Sequence, residues 1–538
     1  MSLKWIKTNI WWILLVLVMI AVASIRLRLL NMPLERDEGE YAYMGQLILQ
    51  GIPPYESVYN MKFPGVYYMY AFFMAIFGQT TAGVHLGLIV VNLCSILLLF
   101  VLVKKMISQY AAIVASTVYG LLSVSVSFCG FAGHATHFVV LPAIAGTLFL
   151  YKAITENKTK HYILSGLLLG LTPIMKQPGV FFFIFGFVFL SILLFINRKL
   201  NIKANITRLA LFTISGLVPV ILLIVILKLY GVLDKFWFWT FEYASSYASQ
   251  VPLNEAFPQL MMMVNYFFAD FYLFFIIAGL GVITMFFHPA LRKKSLILFL
   301  ILFLVFSFIS VCPGFYFREH YFITLLPAFS ILFSIFVDWI LNLPIKHKLF
   351  KYLKYSSYAL FLVPVLLAIV TQKDYLFKGS PNEISRYYYW CNPFVESVEI
   401  AKYIKAHTGE NDKIAIIGSE PQIFFYANRK SATGYIYTYS LMEIQKNSLK
   451  MQEEMIREIE AAHPTHLIYV HIANSWLAKE NSQTRIFDWI NPYLQQNKFY
   501  QVGIADITEK ETLYQWDEMA VDYMPISDSF VQIFERKK

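Results

Sequence analysis

Five acids fall within residues 35–56, at Glu35, Asp37, Glu38, Glu40 and Glu56, in a region otherwise poor in charge. A carboxylate so placed can take a proton from a hydroxyl as that oxygen forms a new bond. Asp37 is the expected general base, with Glu38 orienting the incoming hydroxyl. The two are neighbours, so on a helix they point roughly 100° apart and are not expected to act as one paired unit. Lys62, Lys176 and Arg318 offer fixed positive charge of the kind that stabilises a leaving phosphate, and the Arg318 fork suits phosphate oxygens in particular. The plainer alternatives are a solvated acidic loop and a Lys62 that only snorkels to lipid headgroups. Tyr41, His320 and Tyr321 are candidate pocket residues. Gly133-His134-Ala135-Thr136-His137 sets two imidazoles at i, i+3, and His134 and His137 join the same list. With no acidic third ligand close by, neither a metal nor another cofactor is expected.

The elements that must position these groups follow from composition. The chain has 538 residues, 58% hydrophobic, 17% aromatic and 14% charged, with net charge +10. Residues 1–372 hold 26 Lys/Arg and 12 Asp/Glu, whereas residues 373–538 hold 18 and 22. The first part has the composition of a membrane domain and the second that of a water-soluble one. A soluble enzyme, a disulfide scaffold and a disordered chain are excluded. The positive charge lies between apolar spans, so it does not point to nucleic acid.

Apolar stretches able to cross the bilayer core fall near 10–30, 83–103, 109–128, 137–152, 161–175, 178–196, 209–230, 263–287, 295–312, 321–341 and 355–372. Alternate connections carry Lys104 and Lys105; Lys152, Lys158 and Lys160; Arg198, Lys199, Lys203 and Arg208; Arg292, Lys293 and Lys294; and Lys346, Lys348, Lys351 and Lys354. With Lys4 and Lys7 these are 18 of the 26 basic residues, against one acid, Glu156. The bias puts these loops and the N-terminus in the cytoplasm. The loop 31–82 and residues 373–538 are then extracytoplasmic, in a multi-pass protein of the cytoplasmic membrane. Arg26 and Arg28 after the first span argue against a cleaved signal.

Within loop 31–82, Tyr41, Met44, Leu47 and Ile48 have helical spacing, with Gln46 and Gln50 opposite. Gly51-Ile52-Pro53-Pro54 ends that helix. The expectation is a short amphipathic helix on the membrane surface. Pro64 to Phe77 is too short to span and is expected in the interface.

Several of these patterns resemble one family. The acidic pair, aromatic helix, Pro-rich turn, Lys62-Phe63-Pro64 and Phe77-Gly78 look like the first outer loop of GT-C glycosyltransferases. The likeness is closest to bacterial relatives of protein O-mannosyltransferases and of the lipid A aminoarabinose transferase. Met175-Lys176-Gln177-Pro178, Arg318-Glu319-His320-Tyr321, Leu326-Pro327 and a C-terminal soluble domain follow in the family's order. The resemblance implies a polytopic helix bundle that moves a sugar from a polyprenyl-phosphate donor to an extracytoplasmic hydroxyl, with Asp37 at the family's first acidic position. Thr136-His137 departs from relatives, which often carry an acid there. The residues point the same way: the chain has no Asp-X-Asp triplet or Gly-rich phosphate loop, and its cytoplasmic loops are too short for a nucleotide-binding domain.

The C-terminal part alternates strands (413–418, 465–472, 500–504) with helices (394–407, 441–462, 483–496), which predicts a small α/β domain that covers the site without catalysing. Gly418-Ser419-Glu420-Pro421 reads as a plain strand-to-helix turn. Trp237, Trp239, Tyr243 and Tyr247 read as an aromatic belt or a sugar or lipid platform. One disulfide among Cys129, Cys312 and Cys391 is open to the chain. The competing functions are a secondary transporter, for which Asp270 is the main candidate residue, a metal-dependent phosphotransferase, and a polymer-export membrane protein without glycosyl transfer.

Overall fold

The computed structural model describes residues 3–196, 202–343 and 348–537, so Arg198, Lys199 and Lys346 of the basic loops lie outside the described residues. A helix stands at each of the eleven predicted spans, from Leu3–Arg28 to Ser356–Thr371. Among the described residues, seven helices are long and apolar enough to cross a membrane unaided. Gln109–Leu122, Lys294–Ile309 and Leu326–Leu341 are apolar but shorter, rising only about 21–24 Å at 1.5 Å per residue. Gly65–Phe77, 13 residues, is a helix of interfacial length as expected.

Two compact units divide the chain. One comprises residues 1–29, 85–226 and 248–379, and the other residues 30–84, 227–247 and 380–538. This division does not follow the sequence boundary at 372, because the first long loop belongs with the C-terminal part.

In the first unit, Ala135–Glu156 and Thr159–Met175 form a helical hairpin turned by Asn157, whose left-handed φ of 54° an asparagine tolerates. Leu326–Leu341 packs against Leu253–Thr284, Gln109–Leu122 and Ser356–Thr371. Lipid gives helices no hydrophobic drive to associate, so close backbone approach matters. At Gly170 a Cβ would lie 2.0 Å from the Gly216 carbonyl oxygen, so only glycine fits that crossing.

In the second unit a six-stranded sheet runs in the order β2 (Lys430–Ser431), β1 (Lys413–Ile417), β3 (His466–His471), β6 (Phe530–Arg536), β4 (Phe499–Ile507), β5 (Thr512–Trp516). β1 pairs in parallel with β2 and β3, and the remaining pairings are antiparallel. β1 reads Lys-Ile-Ala-Ile-Ile with its last four residues buried, the near-continuous apolar run of a strand covered on both faces. Trp239 and Tyr243 are also buried here, against Tyr59, Tyr435 and β-strand residues, so they are core groups and not a membrane belt. None of the four cysteines is joined in a disulfide.

Candidate active site

The acidic stretch folds as the helix Arg36–Leu49. Glu35 caps it: its two carboxylate oxygens accept from the backbone N–H groups of Asp37 and Glu38, both at 2.9 Å. Negative charge at a helix N-terminus is favoured by the macrodipole. Burial, with the Asp37 and Glu38 charges beside it, nevertheless holds the Glu35 carboxyl well above the usual range. The helix does not lie on a surface with one wet face. Eleven of its residues are buried, including Gln46, which faces the helix Pro421–Ala427. At Gly39 a Cβ would meet Gln422 at 2.6 Å, which forces a residue without a side chain there.

Lys62 enters from the loop, where the Tyr55 hydroxyl donates to its carbonyl oxygen at 2.5 Å. Its ammonium donates to Asp37 Oδ1 and to Glu40 Oε2, each at 2.8 Å, and sits 4.7 Å over the Tyr41 ring. Asp37 Oδ1 also accepts from the Tyr437 hydroxyl at 2.9 Å, and Glu40 Oε1 from the Tyr67 hydroxyl at 2.6 Å. Glu40 is fully buried, whereas the Asp37 side chain keeps 20% of its exposure. Burial works against the Lys62 charge, but Asp37, Glu40 and Tyr437 outweigh it and hold the lysine well above its ordinary pKa. Burial raises Glu40, and Lys62 only partly offsets it. The result is a permanent cation between an enclosed carboxyl and a partly accessible one.

Arg36, one residue before Asp37, anchors the helix. It is buried and pairs with the fully buried Glu420 at 2.6 Å. Its other bonds run to Tyr439 Oη (2.9 Å), Asn392 Oδ1 (3.0 Å) and the Ser419 carbonyl, and its guanidinium lies 5.3 Å from the Phe394 ring. Gln422 donates to the second Glu420 oxygen at 2.6 Å. Burial opposes the Arg36 charge, but Glu420, first among its partners, raises its pKa overall. The Gly418–Pro421 turn is therefore more than a chain reversal, since it carries the counter-ion of the acidic helix.

Of the sequence candidates, Asp37, Lys62 and Tyr41 come together in this cluster, and Glu38 lies one residue away on the buried side of the same helix. Tyr41 is buried against Tyr67 and Tyr70 beneath the ammonium. A second group of candidates assembles within the first unit. Lys176 lies 3.7 Å over the Tyr321 ring, Tyr321 meets His320 edge-on at 4.8 Å, and His320 stacks on His134 at 3.9 Å. Arg318 lies 5.7 Å from the Tyr316 ring. His137 is buried one helical turn beyond His134, and Arg26 and His134 are within its electrostatic reach. Sequence reasoning placed Glu40 in the acidic cluster without a role and missed Tyr67, Tyr437 and the Arg36–Glu420 pair. Glu40 had a signal, because Asp37 and Glu40 stand at i, i+3 and share a helix face.

Among solved structures the chain is similar to ArnT from Cupriavidus metallidurans bound to undecaprenyl phosphate. The match has TM-score 0.61 and 12% identity, covering 86% of this chain and 93% of that one. The apo state of the same protein matches at TM-score 0.60 and 12% identity, over 94% and 98%. The oligosaccharyltransferase AglB from Archaeoglobus fulgidus, in complex with an inhibitory peptide and a dolichol-phosphate, matches at TM-score 0.51 and 12% identity, over 97% and 75%. The chain is thus a polytopic membrane protein with the GT-C fold of membrane glycosyltransferases. Residues 61–224 match the family described as dolichyl-phosphate-mannose-protein mannosyltransferase. No curated protein matches the sequence.

Proposed function

We propose that this protein is a membrane glycosyltransferase that moves a sugar from a polyprenyl-phosphate donor to an extracytoplasmic acceptor hydroxyl, with Asp37 as general base. One observation carries the reading: a partly accessible aspartate is held against a half-buried lysine at the start of a capped, anchored helix. The fold adds to it, since ArnT with this fold binds undecaprenyl phosphate and AglB binds a dolichol-phosphate. The acceptor O–H gives its proton to the Asp37 carboxylate as its oxygen attacks the anomeric carbon. The bond from that carbon to the phosphate oxygen breaks, and the lipid phosphate leaves with the electron pair. As Asp37 takes up the proton it ceases to neutralise Lys62, whose charge then serves the departing phosphate. Glu40 and Tyr67 keep the ammonium in place throughout. In this proposal Tyr41 shapes the pocket at Lys62, and within the first unit Arg318 and Lys176 are phosphate contacts and His134, His137, His320 and Tyr321 pocket residues.

The test is reconstitution. Purified protein in liposomes with a radiolabelled polyprenyl-phosphate sugar and a membrane extract as acceptor should give a labelled acceptor and free polyprenyl phosphate. Release of neither product across a panel of lipid-linked sugars would defeat the reading.

A further inference from the structure

His134 and His137 suggest a pair by their spacing, but the fold separates their roles. His134 precedes the helix Ala135–Glu156, while His320 comes from the tight turn Glu319–Thr324. The two rings stack at 3.9 Å with 11° between their planes. Cys129 closes the short turn Val126–Phe128 in left-handed backbone, φ 49°, an uncommon conformation for a residue with a Cβ. The turn is held by Cys129 N–H to Val126 O (2.9 Å) and Gly130 N–H to Ser125 O (2.9 Å). Glu319–Thr324 packs against both that turn and the helix Ala135–Glu156. The stretch 129–134 and the distant turn at 320 thereby deliver one thiol and two imidazoles to one place. All three residues are buried, and one ligand atom from each lies within 4.8 Å of the other two.

We infer that Cys129, His134 and His320 bind a zinc ion. A tetrahedral zinc with sulfur at about 2.3 Å and nitrogen at about 2.0–2.1 Å needs ligand atoms roughly 3.3–3.6 Å apart. Ligand atoms within 4.8 Å reach that spacing by closing little more than an ångström, and because the stacked rings aim their lone pairs side by side, binding turns both imidazoles out of the stack until their planes meet at the ion. The donor set selects the metal: a thiolate with two imidazoles suits zinc and disfavours magnesium, calcium and manganese, which prefer oxygen. Binding replaces the thiol proton, which is released to solvent, so affinity rises with pH. Three protein ligands leave a fourth coordination position for a water or another oxygen. The ion would pin the Cys129 turn to the His320 turn, beside the Tyr321–Lys176 pair.

The test uses the full-length protein, purified in detergent on an affinity tag free of histidine and without chelator. It reads metal directly and so stands or falls apart from the proposed transferase activity. Elemental analysis after zinc loading and desalting should give about one zinc per chain. Cobalt(II) should produce a thiolate-to-metal charge-transfer band in a background where Cys94, Cys312 and Cys391 are alanine, which leaves Cys129 as the sole thiol. Cys129→Ser should abolish that band, His320→Gln should lower zinc retention at least tenfold, and His137→Gln should change neither. The proposal is overturned if the folded single-thiol protein binds no cobalt with a charge-transfer band. It is also overturned if His137→Gln removes the metal while His320→Gln retains it.

Discussion

Replacing Glu420 by glutamine tests whether the Arg36 anchor organises the acidic helix. The substitution keeps shape and removes charge at a fully buried site whose Oε1 lies 2.6 Å from Arg36 Nη2. Arg36 retains Ser419, Asn392 and Tyr439 as neutral acceptors but loses its only carboxylate partner among the described residues. Removing one member of a buried ion pair typically costs about 3–5 kcal/mol, because the other charge is left uncompensated. For a unit of this size, roughly 2–4 °C of melting temperature per kcal/mol predicts a fall of about 6–20 °C. Differential scanning fluorimetry in detergent measures it, and limited proteolysis should show faster cleavage in the second unit. The double variant Arg36→Met/Glu420→Leu should recover part of the loss, since an apolar pair of similar volume is often neutral or better. A Glu420→Gln variant melting within about 2 °C of wild type would refute the anchoring argument, as would a double variant no better than the single.

Three other outcomes are expected. Lys62→Ala and Arg318→Ala should each weaken transfer by about 2 kcal/mol or more, as for loss of one charge-stabilising donor, and Lys62→Arg should keep part of the activity; wild-type rates in both alanine variants would place the phosphate elsewhere. Burial pushes the Glu443 carboxyl, which accepts from Tyr243 at 2.8 Å, up to about 7 from an ordinary 4.5. A raised carboxyl contributes stability that is fully present below pH 4.5 and lost as pH rises through about 7. Wild type should therefore be less stable at about pH 8.5 than at about pH 6, by an amount on the order of 1–1.5 kcal/mol, and Glu443→Gln should flatten that difference. Cysteines placed at the exposed positions Ser57 and Gly409 should react with an impermeant maleimide in cells lacking an outer barrier, and one at Lys293 should be protected; the reverse pattern would invert the proposed orientation.

The helices were legible because a bilayer allows few ways to satisfy backbone polar groups, so long apolar runs read directly as helix. Their ends were less so: Leu253–Thr284 begins ten residues before its apolar core at 263 and bends at Phe271. β1, β3 and β4 were visible as apolar runs between turns. β2, two residues long, gives no sequence signal, and β5 is half-exposed throughout, with no alternation to read. The acidic helix was placed correctly but its environment was not. Spacing shows which residues share a face, and it does not show that Pro421–Ala427 covers the polar one. Lys62 was read as a cation for phosphate, and its grip on Asp37 and Glu40 was hidden because the partners lie 22 and 25 residues away across a turn. Tyr437, 400 residues from Asp37, had no local signal at all.

The central claim rests on Asp37 taking the acceptor's proton, and Asp37→Asn tests it most directly. Asparagine keeps the size and can still meet Tyr437 but cannot accept that proton. In the liposome assay the initial rate of sugar transfer should fall by about 10²–10⁴-fold. Melting temperature should change little, because the side chain is partly exposed and Lys62 keeps Glu40 as a partner. Glu38→Gln, on the buried side of the helix, should cost less in transfer than Asp37→Asn. Transfer at the wild-type rate by a folded Asp37→Asn protein, or a loss confined to Glu38→Gln, would contradict the account.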